Sequence, residues 1–223
     1  GHTLSLQLNS ILSHRHRPER TAVVLTRVLV DSNDEAFSLP TKPVGPVLSA
    51  EEVMARDWDI ATTINGPRRV VASPIPTRVL DIDVIRTLVQ QRAVVICGGG
   101  GGIPIINDEK QFKGIPSVID KDRLSALLAS ELGAEALIIS TGVEAVFTDF
   151  GSNQQKEHRK LSVSQAEKFL EAGHFPKGSM GPKISSMIEA VRHSPGMRSI
   201  LCQPGDALSA LREEAGTTLS HDD

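Results

Sequence analysis

The sequence predicts an α/β fold in which parallel strands are covered by helices on both faces. Between residues 81 and 202, short β-branched runs alternate with segments of helical periodicity. Most of those helical segments also carry a starting Ser or Pro or a closing Gly. The 223 residues, 39% of them hydrophobic, suffice for one substantial core. We therefore expect a single domain over residues 1–223 with one excursion at about 33–77.

The first third of the chain is the less regular part. One helical face carries the apolar residues Leu4, Leu8, Ile11 and Leu12. This spacing indicates the second half of an amphipathic helix that is already under way. Residues 21–31 predict one buried strand. The excursion contains a short helix near residues 49–58 and a strand at 68–76 that prolines stop.

The remaining elements follow in a regular order. The pattern predicts helices and strands in the following sequence: a helix at 81–92, a strand at 93–97, a helix at 121–134 ended by Gly133, a strand at 135–141, a helix at 162–173 capped by Ser162 or Ser164 and closed by Gly173, a helix at 181–196 with Pro182 in its first turn, and a strand at 198–202.

Composition excludes several classes of partner. Aromatic residues make up only 3% of the chain and the formal net charge is −3, which argues against nucleic acid binding. No apolar run approaches the roughly 20 residues that a membrane span needs. Cys97 and Cys202 lie far apart and fit no metal-ligand spacing, as expected of reduced thiols in a cytosolic protein.

Five consecutive glycines, residues 98–102, directly follow the predicted strand at 93–97. Ligands of α/β sheets bind at the carboxyl ends of strands, and bare glycine N–H groups can surround an anion. The run matches neither GxGxxG nor the P-loop pattern. Two interpretations stay open, an anion cradle or a tight turn without a ligand.

Three lysines are candidates for binding phosphate. Lys121 lies between Asp120 and Asp122 at a helix start, Lys42 lies between two prolines, and Lys183 follows a glycine-rich loop at another helix start. Such lysines can stabilise the negative charge of phosphoryl transfer. Each could equally be a solvated surface lysine.

The remaining segments offer a place for a base but no nucleophile. Residues 140–151, "STGVEAVFTDFG", could form a flat apolar slot for a base or a plain strand–turn–strand. The sequence has no GxSxG, HExxH or paired-carboxylate pattern, and its histidines suggest no catalytic geometry. This absence suits a reaction that needs positive charge and positioning.

Several motifs occur together and in the order of one known family. "VDSNDEAFSLPTKPVGP", "VVICGGGGGIPII", "VIDKDRLSALLA", "ISTGVEAVFTDFG" and "EAGHFPKGSMGPKI" resemble carbamate kinase, a member of the amino acid kinase superfamily. The resemblance runs through essentially the whole chain. It implies a three-layer α/β/α sandwich with a mainly parallel central sheet, the amino acid kinase fold, acting as a cytoplasmic homodimer.

The resemblance also implies an activity: reversible phosphoryl transfer between ATP and carbamate, giving ADP and carbamoyl phosphate. In arginine or agmatine breakdown the reaction runs toward ATP. Mg²⁺ would bridge the nucleotide phosphates. Lys121 would face the transferring phosphoryl group, Asp122 would hold that lysine, and Lys183 would neutralise the nucleotide phosphates.

The other implied site residues fall into three groups. Lys42 would lie at the tip of a protruding lid subdomain, about 33–77, that closes over the site. Gly99, Gly100, Gly101 and Gly102 would form part of the carbamoyl phosphate cradle. The residues bordering the adenine nucleotide would be Thr141, Val143, Glu144, Ala145, Val146, Ser179 and Met180.

Two departures from the family pattern matter. The family begins with a strand carrying a GGNA-like loop and a later HGNGPQVG-like segment, and this sequence contains neither, so we expect an N-terminally truncated chain. "TTINGPRRVV" stands where the family has "EDAGRGxRRVV", within the lid. The alternatives are a catalytically impaired remnant that binds nucleotide or a partner, or another phosphotransferase of the amino acid kinase family.

Overall fold

The computed structural model describes residues 1–109, 111–176 and 178–222. The chain divides into two compact units, Gly1–Leu124 and Ser125–Asp223, and each is described by itself. The alternation of strands and helices predicted from the sequence is confirmed. The expectation of a single domain over residues 1–223 stays a prediction.

Seven α-helices lie in the described residues: α1 His2–His14, α2 Ala50–Ala55, α3 Ile82–Gln90, α4 Lys121–Leu132, α5 Val163–Glu171, α6 Met180–His193 and α7 Ala207–Leu211. The strands are β1 Thr21–Val23, β2 Arg27–Val30, β3 Lys42–Val44, β4 Ile60–Thr63, β5 Gly66–Val71, β6 Pro76–Val79, β7 Val94–Ile96, β8 Ile103–Asp108, β9 Gln111–Gly114, β10 Ala136–Ser140, β11 Val146–Thr148, β12 Lys156–His158, β13 Lys160–Ser162, β14 Arg198–Cys202 and β15 Thr217–Ser220. Within this part of the chain, none of the helices combines the length and apolarity needed to cross a bilayer.

The first unit is built on a four-stranded sheet in the order β6-β2-β8-β9. Strand β2 runs parallel to β8 and antiparallel to β6. A separate parallel pair joins β1 to β7. Val28, Val79 and Ile85 are fully buried, so the core of this unit lies around β2, β6 and α3.

The predicted single strand at 21–31 is wrong, because the chain changes sheets there. Strand β1 ends at Val23 and β2 begins at Arg27, with different partners. Between them, Thr26 donates its hydroxyl to the carbonyl of Val24 at 3.1 Å, a local bond that favours a turn over a continued ladder. A run of β-branched residues does not reveal such a break.

The segment predicted as a lid contains a three-stranded antiparallel sheet in the order β3-β5-β4. Helix α2 begins with a reciprocal capping box between Ser49 and Glu52. The guanidinium groups of Arg56 and Arg69 lie 4.8 and 4.6 Å from the ring centre of Trp58. The small sheet is therefore present in the predicted range, and its closure over a site stays a prediction.

The second unit has a four-stranded sheet in the order β10-β14-β15-β13. Strand β14 is parallel to β10 and antiparallel to β15. The buried residues Ile184, Met187 and Val191 of α6 belong to the same apolar cluster as Leu201 and Leu219. Helix α6 therefore covers this sheet through the face that those residues share.

The α/β class is confirmed, and the sheets are mixed rather than mainly parallel. Four of the ten strand pairings in the described residues are parallel. Sequence analysis missed the antiparallel pair β8–β9 and the last strand β15. Antiparallel partners join through short connections that leave no helix-length gap in the pattern.

Candidate active site

The glycine run forms a tight turn after β7, at the carboxyl end of that strand. The hydroxyl of Thr26 accepts the N–H of Gly98 at 2.7 Å. The carbonyl of Gly98 then accepts the N–H groups of Gly101 at 2.9 Å and Gly102 at 2.5 Å. Thr26 is 4% exposed, so the side chain that holds the start of the turn is buried.

The glycines divide into two pairs with different surroundings. A Cβ on Gly101 would lie 2.0 Å from the carbonyl oxygen of Ile119, and one on Gly102 would lie 2.4 Å from a methyl group of Val28. A Cβ on Gly99 or Gly100 would meet nothing within 4 Å. Only the first pair is required by close packing.

Gly99 and Gly100 are the pair with free backbone donors. Both are exposed, and among the described residues no hydrogen bond takes up either N–H group. The N–H groups of Gly101 and Gly102 donate to the carbonyl of Gly98 within the turn. The structure thus limits the predicted cradle of four glycines to donors at Gly99 and Gly100, with the other two shaping the turn.

The start of α4 lies against this turn, because Gly101 packs on Ile119 and Gly98 on Leu124. Asp120 caps the helix by accepting the N–H groups of Asp122 at 2.9 Å and Arg123 at 3.3 Å. The sequence places acids here, but their individual tasks follow only from the structure.

Lys42 reaches the same helix start. Its Nζ lies 2.6 Å from Oδ2 of Asp120. Burial alone would raise the pKa of Asp120, but the hydrogen bond and charge of Lys42 and the two capping N–H groups lower it on balance. Asp120 therefore carries its negative charge between a lysine and a helix N-terminus.

Lys42 lies in a strand of the small sheet, and its predicted position at the tip of a lid stays a prediction. Lys42 is the first residue of β3 and pairs with Val71 in β5. Its side chain is 27% exposed. Because strand pairing holds the backbone, the lysine extends toward α4 rather than from an open loop.

Lys121 and Asp122 form the predicted contact. Nζ of Lys121 lies 2.9 Å from both carboxylate oxygens of Asp122. The side chain of Asp122 is 10% exposed, whereas that of Lys121 is 58% exposed. A buried carboxylate thus orients an accessible ammonium group.

The second unit contains a cavity of about 160 Å³, and its lining includes some of the residues predicted to border the nucleotide. Its lining is mostly apolar and aromatic: Val143, Ala145, Phe147, Phe150, His174, Phe175, Pro176, Ser179 and Met180. Four of these, Val143, Ala145, Ser179 and Met180, were predicted. An apolar slot with few polar groups suits a flat ring.

Three predicted nucleotide residues do not line this cavity. Val146 is fully buried in the core, where its N–H bonds the hydroxyl of Thr217 at 2.7 Å. The N–H of Thr141 bonds the carbonyl of Cys202 at 2.9 Å and so extends the sheet. Glu144 is exposed. The resemblance covered a continuous stretch, whereas side chains along an extended chain alternate between faces.

Sequence analysis missed the aromatic lining of the cavity. Phe147 and Phe150 lie with ring centres 5.8 Å apart, and Phe175 is 4% exposed. His174 also contributes to the lining. Phenylalanines concentrated in a chain with 3% aromatic residues were the available signal.

Lys183 lies in the first turn of α6, which begins at Met180. The carbonyl of Pro176 accepts the N–H groups of Ser179 at 3.2 Å and Gly181 at 3.0 Å, which fixes the entry to the helix. Lys183 is half-buried. A lysine beside a helix N-terminus is suited to phosphate oxygens.

Comparisons with known proteins show the family to which the chain belongs. The amino acid kinase family profile matches residues 28–201. The carbamate kinase of Halobacterium salinarum is 38% identical over 224 residues, which cover 98% of this chain and 71% of that protein. The carbamate kinase-like protein YahI of Escherichia coli is 39% identical, with 97% and 70% covered.

Solved structures give the same result. Carbamate kinase from Giardia lamblia, 32% identical, superposes with a TM-score of 0.91 when bound to citric acid and 0.89 when bound to AMP-PNP. The citric acid complex covers 100% of this chain, and this chain covers 71% of it. The chain therefore belongs to the amino acid kinase family and, within that family, to the carbamate kinases.

Proposed function

We propose that this chain catalyses reversible phosphoryl transfer between ATP and carbamate, giving ADP and carbamoyl phosphate. The observation that carries the proposal is the meeting of the glycine turn and the start of α4. The free N–H groups of Gly99 and Gly100 and the ammonium group of Lys121 belong to neighbouring segments of one unit. Such donors suit a phosphate or carboxylate oxygen.

The chemistry requires charge stabilisation more than a protein nucleophile. The transition state of phosphoryl transfer spreads negative charge over the equatorial oxygens. The ammonium group of Lys121 stabilises that negative charge, and Asp122 orients Lys121 before the substrate binds. This preorganisation lowers the cost of arranging charges during the reaction.

Lys42 supplies a second positive charge to the acceptor side. Its contact with Asp120 brings a residue of β3 to the start of α4. In the proposed reaction the groups of the first unit bind carbamate or the transferred phosphoryl group. The lid role of residues 33–77 is implied by the resemblance to carbamate kinase and is part of this proposal.

The second unit would bind the nucleotide. The base would occupy the slot lined by Val143, Ala145 and Met180, and Lys183 would neutralise the phosphates. The Giardia lamblia relative has been solved with AMP-PNP bound. That finding supports an adenine nucleotide as the ligand of this chain.

The Mg²⁺ that accompanies the nucleotide would be held chiefly by phosphate oxygens. In the described part of the chain no group of three or more His, Cys, Asp or Glu is placed to hold a metal ion. Mg²⁺ commonly keeps several waters and binds through substrate phosphates with one or two carboxylates, so this residue set fits a nucleotide-borne ion. When bound, it would neutralise the developing phosphate charge.

The test measures the rate of ATP formation from ADP and carbamoyl phosphate, with a coupled hexokinase assay as the readout. We expect K121A to lower kcat at least about 100-fold, the size of effect seen when one preorganised charge-stabilising donor is removed. Lys113→Ala is the matched control, since Lys113 is an exposed lysine of the same unit that pairs with Asp108. Equal rates for wild type and K121A would refute the proposal.

Assembly and location are part of the same proposal. The resemblance to carbamate kinase implies a cytoplasmic homodimer. Light scattering after size-exclusion chromatography measures the mass directly, and a monomer across the working concentration range would contradict the dimer.

A further inference from the structure

The nucleotide cavity has two walls that come from separate segments of the second unit. Phe147 and Phe150 belong to β11 and the turn that follows it. His174, Phe175 and Ser179 belong to the segment that leads into α6. The width of the slot therefore depends on what holds these two segments together.

Asp149 sets the direction of the first wall. Its backbone has φ of +51°, in the left-handed region that Asp tolerates better than most residues. The turn continues with a bond from the N–H of Ser152 to the carbonyl of Asp149 at 3.0 Å. It leaves Phe150 63% exposed beside the cavity, with its ring tilted 55° against that of Phe147.

His174 anchors the second wall. Its ring packs edge-on against Phe169 of α5, with ring centres 5.6 Å apart and planes at 86°. Its N–H bonds the carbonyl of Phe169 at 3.1 Å. Ring and backbone are thus both fixed to the helix that precedes this wall.

A side-chain contact between Asp149 and His174 joins the two walls. Nδ1 of His174 lies 3.2 Å from Oδ1 of Asp149, and the side chains are 27% and 44% exposed. The contact is an ion pair when His174 is protonated and a hydrogen bond when Nδ1 carries the only ring proton. Phe150 directly follows Asp149 and Phe175 directly follows His174, and both phenylalanines line the cavity, so the contact joins the chain next to each of these rings.

We propose that Asp149 is a positioning residue for the nucleotide base: its contact with His174 holds Phe150 where it packs on a purine. The inference rests on the proposed function, which makes an adenine nucleotide the substrate. A cavity of about 160 Å³ admits a base but not a whole nucleotide, since drug-sized ligands occupy roughly 300–1,000 Å³. An aromatic side chain kept at the mouth gives the base a stacking surface.

The experiment measures ADP and CDP binding by calorimetry, without turnover. Asp149→Gly keeps the left-handed backbone and removes the carboxylate, so it isolates the side-chain contact. We expect its ADP dissociation constant to rise about two- to fivefold, the effect of one partly exposed pair. Asp149→Asn retains an acceptor and should fall between wild type and Asp149→Gly.

A double-mutant cycle and a specificity ratio separate positioning from a general loss of stability. The double variant of Asp149→Gly and His174→Ala should bind ADP no more weakly than the worse single variant, because both remove the same contact. The preference for ADP over CDP should fall, since the smaller pyrimidine gains less from a held Phe150. Phe150→Ala should lose at least about fivefold in ADP affinity and show the same reduced preference.

The outcomes distinguish failure of the positioning role from failure of the proposed function. Unchanged ADP affinity in Asp149→Gly, additive effects in the cycle, or a lowered Tm with an unchanged ADP-to-CDP ratio would overturn the positioning role. ADP binding by wild type without ATP formation would refute the proposed function and leave the positioning role standing. A wild-type chain that binds no ADP would contradict both.

Discussion

Replacing Asp120 tests how the start of α4 is held, because this one carboxylate does two jobs. It caps the helix through the N–H groups of Asp122 and Arg123, and it accepts Lys42 at 2.6 Å. Loss of an N-cap costs about 0.5–2 kcal/mol. Loss of a hydrogen bond to a charged partner costs about 1.5–3 kcal/mol, and the Lys42 and Asp120 side chains are only 27% and 18% exposed.

Two substitutions divide these contributions. Asp120→Asn keeps a good capping residue and removes the ion pair, so we expect it to lower the free energy of unfolding by about 1–2 kcal/mol. Asp120→Ala removes both and should lower it by about 2–4 kcal/mol. Lys42→Met with Asp120→Asn completes a double-mutant cycle, whose coupling free energy measures the pair.

Trp58 makes the assay specific for the first unit. It is the only tryptophan, and the chain has no tyrosine. It lines a cavity of about 330 Å³ together with Pro116, Ser117 and Val118, which immediately precede Ile119 and the helix cap. Urea unfolding followed by Trp58 fluorescence therefore reports on the structure around Asp120. Equal midpoints for wild type and Asp120→Asn would refute the assignment of a stabilising pair.

The same pair gives a pH dependence with a definite sign. The pKa of Asp120 is lower in the folded protein than its ordinary value of 3.8. Its contribution to stability is therefore complete above that ordinary value and is lost as the pH falls through the lower folded-state pKa. Asp120→Asn should flatten the acid limb of the stability curve, and an unchanged limb would contradict the stated cause.

Two further predictions concern the glycine turn. Gly101→Ala should destabilise the first unit strongly, because the new methyl group would lie 2.0 Å from the Ile119 oxygen at a φ of +142°. Gly100→Ala, with open space around it, should change the urea midpoint little, and similar midpoints for both variants would contradict the division into two pairs. Thr26→Val leaves the N–H of Gly98 without its acceptor, so we expect a loss of about 1–3 kcal/mol in unfolding free energy and a raised KM for carbamoyl phosphate. A loss of stability without a change in KM would contradict a role of Thr26 in binding carbamoyl phosphate.

The sequence predicted those elements whose signals are local. Ser162 caps α5 through a reciprocal box with Gln165, and Gly133 follows α4 with a φ of +66°, both as expected from short-range patterns. The breaks between strands were harder to predict from the sequence. The pattern of residues 21–31 does not mark the change of sheet at Thr26, because only one of the two hydrogen bonds of its hydroxyl is local and the other joins it to Gly98, 72 positions away.

The candidate site shows the same division between local and distant information. The contact of Lys121 with Asp122 joins sequence neighbours and was predicted. The contact of Lys42 with Asp120 joins residues 78 positions apart, and only the fold brings them together. The resemblance paired Lys121 with Asp122 but assigned no carboxylate to Lys42, and the catalytic roles of both lysines stay predictions.

The two lysines of the first unit are held in different ways, and the difference bears on their roles. The side chain of Lys121 is 58% exposed and that of its partner Asp122 is 10% exposed, so a buried carboxylate orients a solvent-exposed ammonium group. Lys42 is 27% exposed and its partner Asp120 also serves a helix cap. An incoming phosphate can reach the ammonium group of Lys121 from solvent, because that side chain is 58% exposed. To bind Lys42, the same phosphate must compete with the carboxylate of Asp120, which the helix N-terminus stabilises. We therefore expect Lys121 to govern kcat and Lys42 to act mainly through KM. Steady-state kinetics of Lys121→Ala and Lys42→Ala measure the split directly, and the reverse pattern would contradict this reading of the two pairs.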